Sequence, residues 1–305
     1  MSGVSLVGRR NHKMLRVCVI ALLVVVLLTV ASASPGAQQP ATGLNIAPVY
    51  EGWEQNADGS FDLIFGYFNR NWNEWIDAPV GVANSIEPGG PDQGQPTHFL
   101  PRRNQFVFRI RVPRDFGNRE LVWTLTTNGK TEKAYGTLKP DYVVNATVMA
   151  ANFGAGGQTG TMPDLAGNVA PVLKVEGERT RRVKVGEPVS LIAVATDDGK
   201  PRIRQMQAFG GRTVPNSATG LRLVWFKYRG IGDVTFDPPQ FSAWEDTRNG
   251  ANSPWAPGWR TPPIPTGNKW EARATFKAPG EYVLRCVAHD GAITAIESVT
   301  VVVTP

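Results

Sequence analysis

The sequence predicts an all-β protein built from two β-sandwiches, and three observations carry that expectation. Residues 278–291 read as a turn, an alternating strand and a second tight turn. Tyr282, Leu284, Cys286 and Ala288 fall on one face at period two, with Glu281, Val283, Arg285, Val287 and His289 on the other. Asp58-Gly59 and Asn128-Gly129 each separate two strand-like runs, which is hairpin chemistry, and amphipathic helix patterns are nearly absent.

The first residues give an address. Arg9, Arg10, Lys13 and Arg16 precede an apolar run over 17–30 and then Ala31-Ser32-Ala33. The run is about 14 residues against the roughly 20 needed to span a bilayer, and a small-x-small site follows it, so residues 1–33 read as a secretory signal peptide. Asn11, His12 and Lys13 follow the arginine pair where a twin-arginine leader wants apolar residues. The expected location is secreted: extracellular, cell-surface or periplasmic, with membrane contact only through the leader before cleavage.

Removing those four basic residues from the 32 Lys and Arg leaves 28 against 26 Asp and Glu. The mixed, nearly balanced charge that remains argues against a nucleic-acid partner. Beyond the leader the chain keeps one cysteine, Cys286, and two histidines, His98 and His289. An intramolecular disulfide is excluded, and Cys286 is expected to be an apolar core filler.

Residues 34–43 read as a flexible lead and 44–150 as the first domain. Its strands are expected at 49–55, 60–68, 106–112, 120–126 and 133–138, with a Pro- and Gly-rich loop over 69–103 of the kind that carries function on a sandwich. Residues 151–168 are Gly-rich and turn-rich and read as a linker. The second domain, 169–305, has strands near 172–175, 189–196, 221–228, 234–236, 270–276, 281–289 and 298–303, and a loop insertion over 238–269. Trp225 sits in the third long strand, where a sandwich core places a tryptophan.

Ala170-Pro171, then Val185-Gly186-Glu187-Pro188-Val189, Asp197-Asp198-Gly199, Trp225, Ala278-Pro279-Gly280-Glu281-Tyr282 and Ala288-His289-Asp290-Gly291 follow in an order that resembles the immunoglobulin-like domains of the polycystic-kidney-disease (PKD) and cadherin-like kind found in secreted bacterial proteins. The resemblance covers residues 168–304 and implies a fold, two immunoglobulin-like sandwiches being the expectation for the whole, rather than an activity. The insertion departs from a compact member.

Three constellations are candidate sites. Sandwich topology puts Asp164, Asn168, Asp197, Asp198, His289 and Asp290 at one pole, where carboxylates suit Ca²⁺; Asp-Gly is equally ordinary turn chemistry. In the insertion, Trp244, Trp255, Trp259 and Arg260 suit a stacked sugar ring, or alternatively the tryptophans fold back to cover a sheet edge. Trp72 and Trp75 interleave with amides and are either a binding rim or a half-buried strand end.

Two histidines and one cysteine from separate segments leave little for a triad or a zinc site, and no catalytic residue is assigned. A glycan hydrolase built on Glu74 and Asp77, or on Glu245 and Asp246, is the outside reading. The expectation is a non-catalytic surface protein acting as a spacer, adhesion or protein-interaction module without a cofactor, with a protein or glycan partner. A carbohydrate-binding module is the alternative.

Overall fold

The computed structural model describes residues 41–155, 163–206 and 217–305. The leader, most of the flexible lead and the centre of the expected linker lie outside the described residues. The rest forms two sandwiches, as the alternation requires.

In the first, β1 (Ile46–Gln55), β2 (Phe61–Asn69) and β6 (Arg102–Val112) form one antiparallel sheet, ordered β1-β2-β6. Facing it are β4 (Asn84–Glu87), β7 (Leu121–Thr127) and β8 (Lys130–Gly136), ordered β4-β7-β8. The short β3 (Ile76–Asp77) and β5 (His98–Phe99) pair in the loop between. The hairpin turns are those read from sequence: Asn56 accepts from the Gly59 N–H at 2.9 Å, and Asn128 and Gly129 both take positive φ, 46° and 73°. Trp123 is fully buried, with Phe108 edge-on at 5.0 Å and Phe65 at 6.1 Å.

The second sandwich pairs β9 (Val172–Val175), β11 (Val189–Thr196), β14 (Lys269–Phe276) and β13 (Val234–Asp237) in the order β13-β14-β11-β9. Opposite lie β10 (Thr180–Lys184), β16 (Thr294–Thr304), β15 (Gly280–His289) and β12 (Arg222–Arg229), ordered β10-β16-β15-β12. All pairs are antiparallel except β10 with β16. The first strand of the sandwich thus splits between the two sheets, and the layout is immunoglobulin-like. Trp225 stands across from Cys286 in the β12–β15 register, both inside the core. Cys286 is a free thiol whose burial pushes it far from ionisation. Tyr282 is fully buried and its hydroxyl donates to Ile231 O at 2.7 Å or Ala278 O at 2.9 Å, pinning the turn before β15.

Two elements escape the pattern. The helix α1 (Ala146–Asn152) occupies what reads as domain end and linker; the Asn145 side chain caps it by accepting from Val148 N at 3.0 Å. Strand β10 is too short and too charged to be read as a strand until β16 pairs with it. Replacing Tyr282 by Phe leaves the Ile231 and Ala278 carbonyls without their donor. It is expected to lower unfolding free energy by about 1–2 kcal/mol in urea titration.

Candidate functional site

Most strands of a sandwich bury one face, but β12 buries both. Leu223 and Trp225 point into the core, while Val224, Phe226 and Tyr228 line a cleft on the outer side of the sheet with Arg285 and Val287 of β15 and Ile296 of β16. The first sandwich closes that cleft. A bulge where Gly66 of β2 faces β6 turns Phe106 away from the core that holds Phe108, at the cost of a positive φ of 50°. Phe106 then packs with Ile64, Val144, Met149 and Phe153, and Trp255 of the insertion completes the cluster.

Polar contacts fix the joint. The loop before β5 is rigid because amide side chains satisfy its carbonyls: Asn84 Nδ2 donates to Ala78 O and Pro96 O at 2.8 Å each, and Gln95 Nε2 donates to Pro91 O at 2.6 Å. The end of β12 docks on it. Tyr228 Oη donates to Gly94 O at 2.6 Å, Arg229 Nε to Gln95 O at 2.8 Å, and the Arg229 guanidinium grips both oxygens of Asp92 at 3.1 and 2.8 Å. Gly230 N donates to Thr97 Oγ1 and Thr97 N to Tyr228 O. Further along, Arg285 lies over the Tyr228 ring at 3.3 Å and donates to Val107 O at 2.6 Å. An exposed ion pair such as Arg229–Asp92 contributes at most about 1 kcal/mol. The guanidinium bonds to half-buried carbonyls contribute roughly 1.5–3 kcal/mol each and dominate.

Beside the docked loop, Asp77 takes Nδ1 of His98 at 2.6 Å and Nζ of Lys227 at 3.4 Å. Burial pushes the Asp77 carboxyl up, but these two partners outweigh it and hold the group below its ordinary value. Burial holds His98 below its ordinary value, the larger cause, against the pull of Asp77. The carboxylate is thus a strut in the joint, with Glu74 turned away to accept from Gly43 N. Asp246 is spent on its neighbour Arg248, at 2.6 Å, and Glu245 stays half-buried with its pKa raised chiefly by burial.

The insertion tryptophans fold inward. Trp255 and Trp259 are 5% and 9% exposed, so neither offers a free face to a sugar; Trp259 packs on Phe241 and donates to Asn252 Oδ1 at 3.0 Å. Arg260 alone of that set is exposed. The Trp72 ring lies under the guanidinium groups of Arg102 and Arg248, at 4.0 and 5.1 Å. Trp75, 49% exposed, meets Trp244 edge-on at 5.8 Å at the mouth of an open groove that also takes Lys227 and Phe236. Sequence reasoning named Trp75 and Trp244 in separate segments; the fold brings them together.

At the aspartate pole the structure joins fewer residues than the topology suggests. Asn168 donates to Asp290 Oδ2 at 2.9 Å, while Asp290 Oδ1 accepts from the N–H groups of Ala292 and Ile293. Asp164 leans toward Arg202 at 3.7 Å, and Asp198 caps its own turn through Lys200 N. Among the described residues no group of three or more His, Cys, Asp or Glu is placed to hold a metal ion. Of the calcium candidates, Asp197, Asp198 and Asp290 each accept a backbone N–H of their own turn and Asp164 faces Arg202, so each of the four has a separate partner.

What sequence reasoning missed is the pair Arg222 and His289, cross-strand partners at the end of β12 and β15, 2% and 8% exposed. The available signal was apolar residues on both faces of β12, which marks a strand covered twice.

No protein-family model matches the chain, and no curated protein matches it. Solved structures to which the chain aligns include chains of immunoglobulin and surface-layer domains. Sidekick-1 immunoglobulin domains 1–4 share 11% identity over 85% of this chain and 48% of that one, with a TM-score of 0.22. Domains 4 and 5 of the S-layer protein SbsC share 10% over 86% and 98%, at 0.22. Extracellular domains 3–5 of Drosophila OTK share 10% over 85% and 60%, at 0.21. The immunoglobulin-like layout itself rests on the strand pairings above.

Asp197 offers a test of the pole. Burial, helped by the charges of Asp290 and Asp198, raises its pKa from 3.8 to about 6, so the folded state disfavours its charge. That penalty is absent below the unfolded value of 3.8 and complete once pH rises past about 6. Asp197→Asn is expected to raise Tm relative to the parent at pH 7 and to leave it unchanged near pH 3.5, as measured by calorimetry across pH. A lower Tm at pH 7 would mean that the bond from Gly199 N to the carboxylate outweighs the cost of burying its charge.

Proposed function

We propose that this protein is a secreted, non-catalytic interaction and spacing element, whose two sandwiches present surfaces to a protein partner at a set mutual angle. The observation that carries this is the joint. An apolar face on β12, β15 and β16 is buried against the first sandwich, and Tyr228, Arg229 and Arg285 tie it down through carbonyls of the partner sandwich. In this reading residues 44–150 and 169–305 are two domains that act as one stiff body, the second of the PKD or cadherin-like kind, exported by the leader to the cell surface or beyond. Stiffness in this reading comes from the arginine–carbonyl bonds of the joint.

A glycan partner is the second reading, favoured by the groove at Trp75 and Trp244. The Trp75 ring there is half open to solvent, so the groove offers a stacking face beside Trp244.

Spin labels at Lys130→Cys and Glu187→Cys, one on each sandwich, test the spacing role by pulsed electron resonance. A single narrow distance distribution is expected, broadening when Arg229→Ala and Arg285→Ala are combined. A broad distribution in the parent would sink the stiff-spacer reading. For the glycan reading, quenching of tryptophan fluorescence by a bound oligosaccharide is expected to vanish in Trp75→Ala.

A further inference from the structure

The cleft between the sandwiches holds two buried hydrogen-bond donors that the protein leaves unused. Arg222 is 2% exposed; its Nη1 donates to Ala218 O at 3.0 Å, while Nη2 has no partner. His289 is 8% exposed; its Nδ1 accepts from Gly291 N at 2.9 Å, so the ring proton sits on Nε2, which also has no partner. The two residues are register partners on adjacent strands and share the outer face, so their side chains lie side by side. Both line the cleft.

The rest of the lining explains what those donors are for. Among the described residues no aspartate or glutamate lines the cleft, although two arginines do. Asp290, whose charge acts on Arg222, has its oxygens occupied by Ala292 N, Ile293 N and Asn168 Nδ2 and makes no hydrogen bond to Arg222. Burial lowers Arg222 to about 10, still above neutrality, so the guanidinium stays charged. Burial likewise holds His289 well below its ordinary value, hence neutral. The remaining walls are mostly apolar, with the rings of Phe106, Phe153, Phe226 and Trp255, and also carry the polar side chains of Asn104, Gln105 and Thr294. The centre of a water-sized sphere can move through about 80 Å³. That is several times the roughly 10–15 Å³ a single water requires, and the cleft is open on one side, so the carboxylate end of a compact organic molecule fits inside while its body extends toward the mouth.

We propose that this cleft binds a small organic carboxylate with a compact apolar or aromatic body, the carboxylate held by Arg222 Nη2–H and His289 Nε2–H and the body packed among Phe106, Phe153 and Trp255. One guanidinium and one neutral imidazole match the single charge and two oxygens of a carboxylate. Aromatic walls exclude water and favour an apolar tail over a bare inorganic anion. The proposal goes beyond the spacing role, and the two fail separately, since the distance between the sandwiches does not report on ligand affinity.

Benzoate and its uncharged analogue benzamide are the probes. Titration of benzoate into the full-length protein, followed by calorimetry and by ¹H–¹⁵N correlation of the histidine rings, is expected to give a saturable one-site isotherm and a shifted His289 Nε2 resonance. Benzamide is expected to bind at least about tenfold more weakly, as loss of a charged hydrogen bond implies. Arg222→Gln is expected to erase that preference. Arg222→Lys, which keeps the charge, guards against a folding defect in the first variant and is expected to retain a reduced preference for benzoate. Equal affinity for the two probes, benzoate binding unchanged in Arg222→Gln, or no saturation at millimolar benzoate each overturns the proposal; the last means that water alone satisfies the donors.

Discussion

Everything about this architecture follows from one sheet face that water cannot be left to cover. Val224, Phe226, Tyr228, Val287 and Ile296 make the outer side of β12, β15 and β16 apolar, on strands whose inner side already fills the core of the second sandwich. A two-faced apolar sheet in an antiparallel sandwich must find a second cover. The first sandwich and the insertion supply it, and the bulge that swings Phe106 outward is the local adjustment that makes the cover fit.

Once that face is buried, the polar groups caught in it have to be paired or given a purpose. At one end the problem is solved inside the protein: Tyr228, Arg229 and Arg285 find carbonyls on the loop before β5 and on β6. Lys227 and His98 find Asp77. At the other end Arg222 and His289 each keep one donor with no protein acceptor. The same desolvation that makes the joint stiff also makes those two donors costly to leave unmade. The joint and the cleft are therefore one physical feature, with a satisfied end and an unsatisfied end.

The insertion acquires its role from the same constraint. Its prolines and tryptophans look like an exposed ligand-binding loop when read alone, yet Trp255 closes the cluster of Ile64, Phe106 and Val144, and Trp259 packs with Ala218, Ala256 and Phe241. Burial of those rings outweighs display. The rings left toward solvent are Trp75 and, beside it, Trp244, which the fold assembles from segments far apart in the chain.

By itself the sequence determined what depends on neighbours in the chain. Period-two alternation set the faces of β1, β7, β11 and β15, Asp58-Gly59 and Asn128-Gly129 set hairpins, and Trp225 marked the core strand of an immunoglobulin-like layout. Only the tertiary structure decided what depends on residues far apart. The parallel pairing of β10 with β16, the meeting of Trp75 with Trp244 and the inward tryptophans of the insertion follow from packing that no local pattern encodes. The pairing of Arg222 with His289 is of the same kind, because register between two residues 67 positions apart in the chain, and the sandwich that covers them, exist only once the chain has folded.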